Sequence, residues 1–140
     1  MGKGVDIGTQ SGSLGRVNWS AIGAFLLALA VMIGAFGAHA LEGTLDPYSK
    51  GVYETGVEYH FYHALALLIV SLLPRAGVLS ARRAAWVCGL FLAGVVLFSG
   101  SLYALAITGA RMLGAVTPLG GIAFIAAWLM LAFWLVQKSE

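Results

Sequence analysis

The run WSAIGAFLLALAVMIGAFGAHAL, Trp19 to Leu41, contains no Asp, Glu, Lys or Arg. About 20 helical residues cross the ~30 Å hydrocarbon core of a bilayer, so a run like this is the signature of a membrane span. A soluble domain of 140 residues would need far more charge to cover its surface. Composition points the same way. Hydrophobic residues make up 60% and charged residues 10%, whereas soluble domains carry about 25% charge. The mean hydropathy is +0.90. The fold class expected is therefore all-α: an integral membrane four-helix bundle.

Three further runs complete it. Ala84 to Ile107 carries no charged residue, and another run follows Thr117-Pro118 as far as Val136. The stretch GVEYHFYHALALLIVSLLP, Gly56 to Pro74, differs: its apolar part, Ala64 to Leu73, is too short to cross alone. Glu58, His60 and His63 must then enter the membrane or its outer interface. Asp46-Pro47 and Thr117-Pro118 each read as a helix start, a capping side chain followed by a proline whose missing N–H costs nothing there. The expected organisation is a flexible Gly/Ser-rich N-terminal tail over 1–17 and a four-span membrane domain over 18–137. The spans run about 19–41, 54–73, 84–107 and 117–136. The tail lacks the apolar core of a signal peptide. Cys88, the one cysteine, lies in an apolar run and reads as a small buried side chain.

Lys and Arg favour the cytoplasmic side. With four spans both termini share a side, which carries Lys3, Arg16, Arg75, Arg82, Arg83 and Lys138. The other side has only Lys50 and Arg111. Both termini are therefore expected in the cytoplasm. The balance of +2 is too small to imply a nucleic-acid partner. Small residues at four-residue spacing, Ala30, Gly34 and Ala38, and Gly89 with Ala93, let helices pack closely. They serve the bundle itself, or a homo-oligomer.

Counting ~1.5 Å of rise per residue from the cytoplasmic ends brings a polar belt into the outer half: His39, Glu58, His60, His63, Ser99, Ser101, Tyr103 and Thr117. The inner half holds little beyond Ser71. Polar groups in a membrane face inward and pair, so the belt is expected to form a hydrogen-bonded network that locks the helices. His39, Glu58, His60 and His63 are also the candidate metal ligands, and two histidines on different helices could ligate haem. A His/Glu set can relay protons. No nucleophile–base pair and no phosphate loop appear, so the reading leans away from an enzyme.

Four motifs in order, GAFGAHAL (34–41), YHFYHALALL (59–68), FSGSLYAL (98–105) and TPLGG (117–121), resemble the YgdD/YwdK-like family. This is the domain of unknown function 423, to which transmembrane protein 256 is similar. The resemblance covers about residues 19–136. It implies a small bacterial inner-membrane protein of four helices, with His39, His63, Ser99, Ser101, Tyr103 and Thr117 in its motifs, and assigns them no chemistry. The expected function is a non-enzymatic accessory or interaction protein, embedded in lipid beside a membrane-protein partner or its own copies. The alternatives are a binder of a metal, haem or quinone-like ligand, and a small transporter or proton pathway.

Overall fold

The computed structural model describes residues 17–137. The expected tail over 1–17 lies outside these, apart from Val17, as do Lys3, Arg16 and Lys138. The order of elements is α1 (Trp19–His39), α2 (Pro47–Leu72), α3 (Ala81–Gly94), a π-helical segment (Val95–Ser99), α4 (Gly100–Thr108), a 3-10 turn (Arg111–Ala115) and α5 (Thr117–Gln137). No strand occurs among the described residues.

α1, α2 and α3 each start where a side chain supplies an acceptor for the free N–H groups. The Asn18 side chain accepts from the Ala21 N–H at 3.1 Å, and Ser80 Oγ from the Arg83 N–H at 3.3 Å. Asp46 does more: it accepts from the Tyr48 N–H at 2.9 Å, the Ser49 N–H at 3.1 Å and the Ser49 hydroxyl at 2.8 Å. Pro47 follows at the first helical position. These bonds, the Ser49 N–H foremost, hold the Asp46 carboxyl below the usual carboxylate range. A carboxyl whose folded pKa is lowered adds stability above its unfolded pKa and loses it as pH falls through the folded value. Asp46→Ala is therefore expected to lower the melting temperature at neutral pH. Its deficit against the parent should shrink in acid, once the pH falls through the lowered folded pKa and the carboxylate protonates. Circular-dichroism melts in detergent at the two pH values check this.

Three helical stretches are long and apolar enough to cross a membrane: Trp19–His39, Ala81–Thr108 and Arg111–Gln137. Only 17% of the apolar window of the first is buried, and 22% of the last. Phe25, Val31, Met32 and Phe36 on α1, and Ile122, Ile125, Leu129 and Phe133 on α5, are all exposed. So much uncovered apolar helix is stable only against lipid. α2 is long enough at 26 residues, but its polar first half keeps it out of this set.

α2 lies at the centre and packs on α1, α3, α4 and the π segment. α5 packs chiefly on α3 and the π segment. The apolar core sits toward the α2 C-terminus and the α3 N-terminus, around Leu67, Val70, Val87, Cys88 and Phe91. At that same end Arg83 lies over the Trp134 ring, 5.6 Å from its centroid, and ties α3 to α5. Backbones approach closely at two places. Gly23 lies so near Leu68 that a side-chain carbon there would sit 3.0 Å from its Cα. Gly120 lies against the Phe98 backbone of the π segment.

The π segment departs from the sequence expectation of one straight helix over 84–107. Its signature is the Gly100 N–H bonding the Val95 carbonyl, five residues back rather than four. One extra residue per turn rotates everything beyond it by about 100°. It therefore decides which way Ser101 and Tyr103 point.

Candidate functional site

The buried face of α2 is Tyr53, Gly56, His60, His63, Ala64, Leu67 and Val70. The spacing of three and four residues makes a single stripe. It brings both imidazoles inward: His60 is 2% exposed and His63 is 7% exposed. Gly56, one turn before His60, opens room for the Tyr103 ring, which lies where a side chain would otherwise stand. His60 Nδ1 meets the Tyr103 hydroxyl at 3.1 Å, joining α2 to α4. The Tyr103 ring packs on Tyr53 with centroids 5.3 Å apart. Tyr53 donates in turn to the Ile33 carbonyl at 2.7 Å, joining α2 to α1.

His63 is held differently. Its Nδ1 donates to the Tyr59 carbonyl at 2.7 Å, within its own helix. A ring nitrogen facing a carbonyl must carry the proton. The imidazole lies flat on Phe124 of α5, centroids 3.4 Å apart and planes 10° apart. Phe98 continues the stack through Tyr59, at 4.6 Å.

Ser101 and Thr117 join α4 to α5, their hydroxyl oxygens 2.7 Å apart. Ser101 also donates to the Phe98 carbonyl at 2.9 Å, whereas the Thr117–Leu113 carbonyl separation is 3.5 Å. The better geometry makes Thr117 the donor to Ser101 and Ser101 the donor to the backbone. A fourth link lies at the other end, where Ser20 and Ser71 hydroxyls are 3.0 Å apart between α1 and α2. Two buried polar atoms have no protein partner among the described residues: His60 Nε2 and Ser99 Oγ.

Five of the eight belt residues thus meet in bonds or stacks: His60 with Tyr103, Ser101 with Thr117, and His63 on Phe124. Ser99 is buried beside them without a bond. His39 and Glu58 do not join. His39 is exposed, because the face of α1 toward α2 runs through Gly23, Ala30, Gly34 and Gly37. His39, two residues past Gly37, is turned about 200° away. Glu58 is two residues from His60 and likewise turned outward; it accepts the Tyr62 hydroxyl at 2.7 Å on the exposed side of α2. Among the described residues no three His, Cys, Asp or Glu side chains come together as a metal site. The sequence reading missed Tyr53 as an interhelical donor. A tyrosine three residues before Gly56 and seven before His60 is the signal that could have found it, since all three share one face.

The family model described as "Protein of unknown function (DUF423)" matches residues 33–121. The matched segment holds Tyr53, Gly56, His60, His63, Ser101, Tyr103, Thr117 and Gly120. The chain belongs to the DUF423 family. Among its relatives, UPF0382 membrane protein YwdK of Bacillus subtilis is 51% identical over 112 residues, 79% of this chain and 89% of that protein. A UPF0382 membrane protein of Staphylococcus haemolyticus is 49% identical over 110 residues, with 79% and 88% covered. No solved structure matches. Like these relatives, this DUF423 chain is a membrane protein, and the names of the family and of these relatives assign no activity.

Proposed function

We propose that this DUF423 protein crosses the bacterial inner membrane four times, with both termini in the cytoplasm. Its outer-half polar side chains serve to fix the helices against one another. In this reading it is a non-enzymatic accessory protein that presents a rigid helical surface to another membrane protein. The observation that carries the reading is that the polar groups close on each other in pairs. Tyr53–Ile33 ties α1 to α2, His60–Tyr103 ties α2 to α4, and Ser101–Thr117 ties α4 to α5. Interhelical pairs of this kind supply orientation in a membrane, where apolar contact alone discriminates poorly between rotations. The fourth crossing rests on α2, which is 26 residues long and turns His60 and His63 inward, while Glu54 and Glu58 stay exposed.

A second reading, a ligand binder, draws on His60 Nε2 and Ser99 Oγ, which lack a protein partner. One experiment separates the two. The tagged full chain is purified in mild detergent at native expression level, and its protein stoichiometry, absorption spectrum and iron, zinc and copper content are measured. The accessory reading expects one stoichiometric membrane-protein partner and no chromophore. A metal or haem near one per chain, lost in His60→Ala, would replace it with the second reading.

A further inference from the structure

Among the described residues the carboxylates and the arginines of the helix pair α2–α3 stand at opposite ends. Glu42, Asp46, Glu54 and Glu58 lie in the α1–α2 turn or the first half of α2, and no carboxylate follows as far as Gln137. Arg75, Arg82 and Arg83 stand at the far end, where α2 stops and α3 starts. Arg83 is engaged: it lies over the Trp134 ring, and its Nη2 is 3.4 Å from the Gln137 side-chain oxygen. Arg82 is exposed, and no described carboxylate at its own end balances it.

Arg82 heads a groove of about 450 Å³ on the outside of α3, lined further by Ala85, Trp86, Gly89 and Leu90. These follow Arg82 by three, four, seven and eight residues, so they form one stripe along the helix. A carbon added at Gly89 would meet a single atom within 4 Å, the tip of the Trp19 ring at 3.8 Å. The channel over Gly89 is therefore open, with Trp19 at its edge. Trp86, one turn beyond Arg82, is 60% exposed.

Length and charge together restrict the occupant. From Arg82 to Leu90 the stripe rises ~12 Å, most of one half of the ~30 Å hydrocarbon core. A soluble anion would pair with the guanidinium and leave the apolar channel unused. An uncharged acyl chain would fill the channel and leave the guanidinium unpaired. A second copy, packed on this face about a two-fold axis, would bring Arg82 toward its own counterpart with no carboxylate at that level. A molecule with an anionic head and an apolar chain satisfies both ends of the groove.

We infer that the groove holds an anionic glycerophospholipid. Its phosphate pairs with the Arg82 guanidinium, and one acyl chain lies along Ala85, Gly89 and Leu90 beside Trp86. The inference stands apart from the accessory reading, since none of these residues belongs to the polar network.

The test uses the full chain in dodecyl maltoside, which carries no charge, with dioleoyl phosphatidylglycerol as the probe and native mass spectrometry as the readout. One retained lipid per chain is expected, saturating as lipid is added. Arg82→Gln should weaken retention about tenfold, the size of one lost charge-assisted contact. Arg75→Gln removes the same charge from the same end but outside the groove, and should leave retention unaltered. Gly89→Leu fills the channel without changing charge, and should abolish retention. Absence of a retained lipid in the parent overturns the inference. So do equal losses in Arg82→Gln and Arg75→Gln, which would mean diffuse attraction to a basic end. Displacement of the lipid by glycerol 3-phosphate would mean that the channel plays no part, and also overturns it. If Gly89→Leu has no melting transition, Ala85→Leu decides: retention unchanged there overturns the site. A protein dimer, or a complex with another protein, that is lost in Arg82→Gln in place of the lipid would give the groove to a protein and overturns it likewise.

Discussion

Gly120→Ala is expected to destabilise the protein by about 3 kcal/mol, the upper part of the range for overpacking a filled interior. The added carbon would stand 2.7 Å from Phe98 Cβ and 2.8 Å from its Cα, and would overlap the Phe98 nitrogen. A backbone obstacle cannot rotate away as a side chain can. Either α5 lifts off the π segment, and the His63–Phe124 stack and the Ser101–Thr117 bond open with it, or the π segment itself shifts. The neighbouring substitution supplies the control. At Gly121 the new carbon would meet Phe98 ring atoms at 3.8 and 3.9 Å, which is ordinary contact. Alanine is also the better helix former by up to about 1 kcal/mol. Gly121→Ala should therefore be neutral or slightly stabilising. Reversible unfolding in mixed micelles, followed by circular dichroism, measures both. Equal stabilities for the two variants would mean that α5 does not sit on the π segment as described.

That pair of glycines also shows what a sequence reader can and cannot see. Helix starts were legible: Asp46-Pro47 reads directly as a cap and first turn, because capping is local chemistry. The start of α5 at Thr117 was legible too, although the Thr117 hydroxyl turns to Ser101 instead of capping its own helix. The inward turn of His60 and His63 followed from the rule that polar groups in a membrane face inward, and the same rule turned Glu58 inward, where it does not lie. The outward turn of His39 could not be read in the same way. α1 is apolar all round, so no pattern distinguishes the side toward α2 from the side toward lipid. Only the packing of Gly23 on Leu68 and Gly37 on Tyr53 fixes its rotation. The π segment left no mark in the sequence. Its residues, VVLFS, suit an α-helix, and the extra residue in its turn is held by the fit of α5 against Phe98. Counting rise along a straight helix therefore could not give the direction of Tyr103.

The His60–Tyr103 pair tests whether the network is the purpose of those polar residues. His60→Ala removes a ring that is 2% exposed and should cost about 3 kcal/mol, as large-to-small changes in a packed core do. That loss is the same whatever the histidine is for. The informative variants keep the volume. Tyr103→Phe leaves Nδ1 of His60 facing a hydrogen, and its expected cost is about 1–2 kcal/mol for a buried polar atom without a partner. His60→Phe leaves the Tyr103 hydroxyl in the same position at a similar cost. With both replaced, nothing polar remains unpaired, so the double variant should be less destabilised than the two singles summed. Coupling energies for interhelical bonds in membranes lie near 0.6 kcal/mol and reach about 1.7. The buried 3.1 Å contact belongs toward the upper end. Unfolding free energies of the four proteins give the coupling directly. A coupling near 1 kcal/mol, with partner co-purification retained in the double variant, makes the histidine a tie between α2 and α4 and nothing more. A stable double variant that has lost its partner or a bound ligand would show that His60 has a use its bond to Tyr103 does not supply. The atom to pursue would then be Nε2, which is buried and makes no hydrogen bond among the described residues.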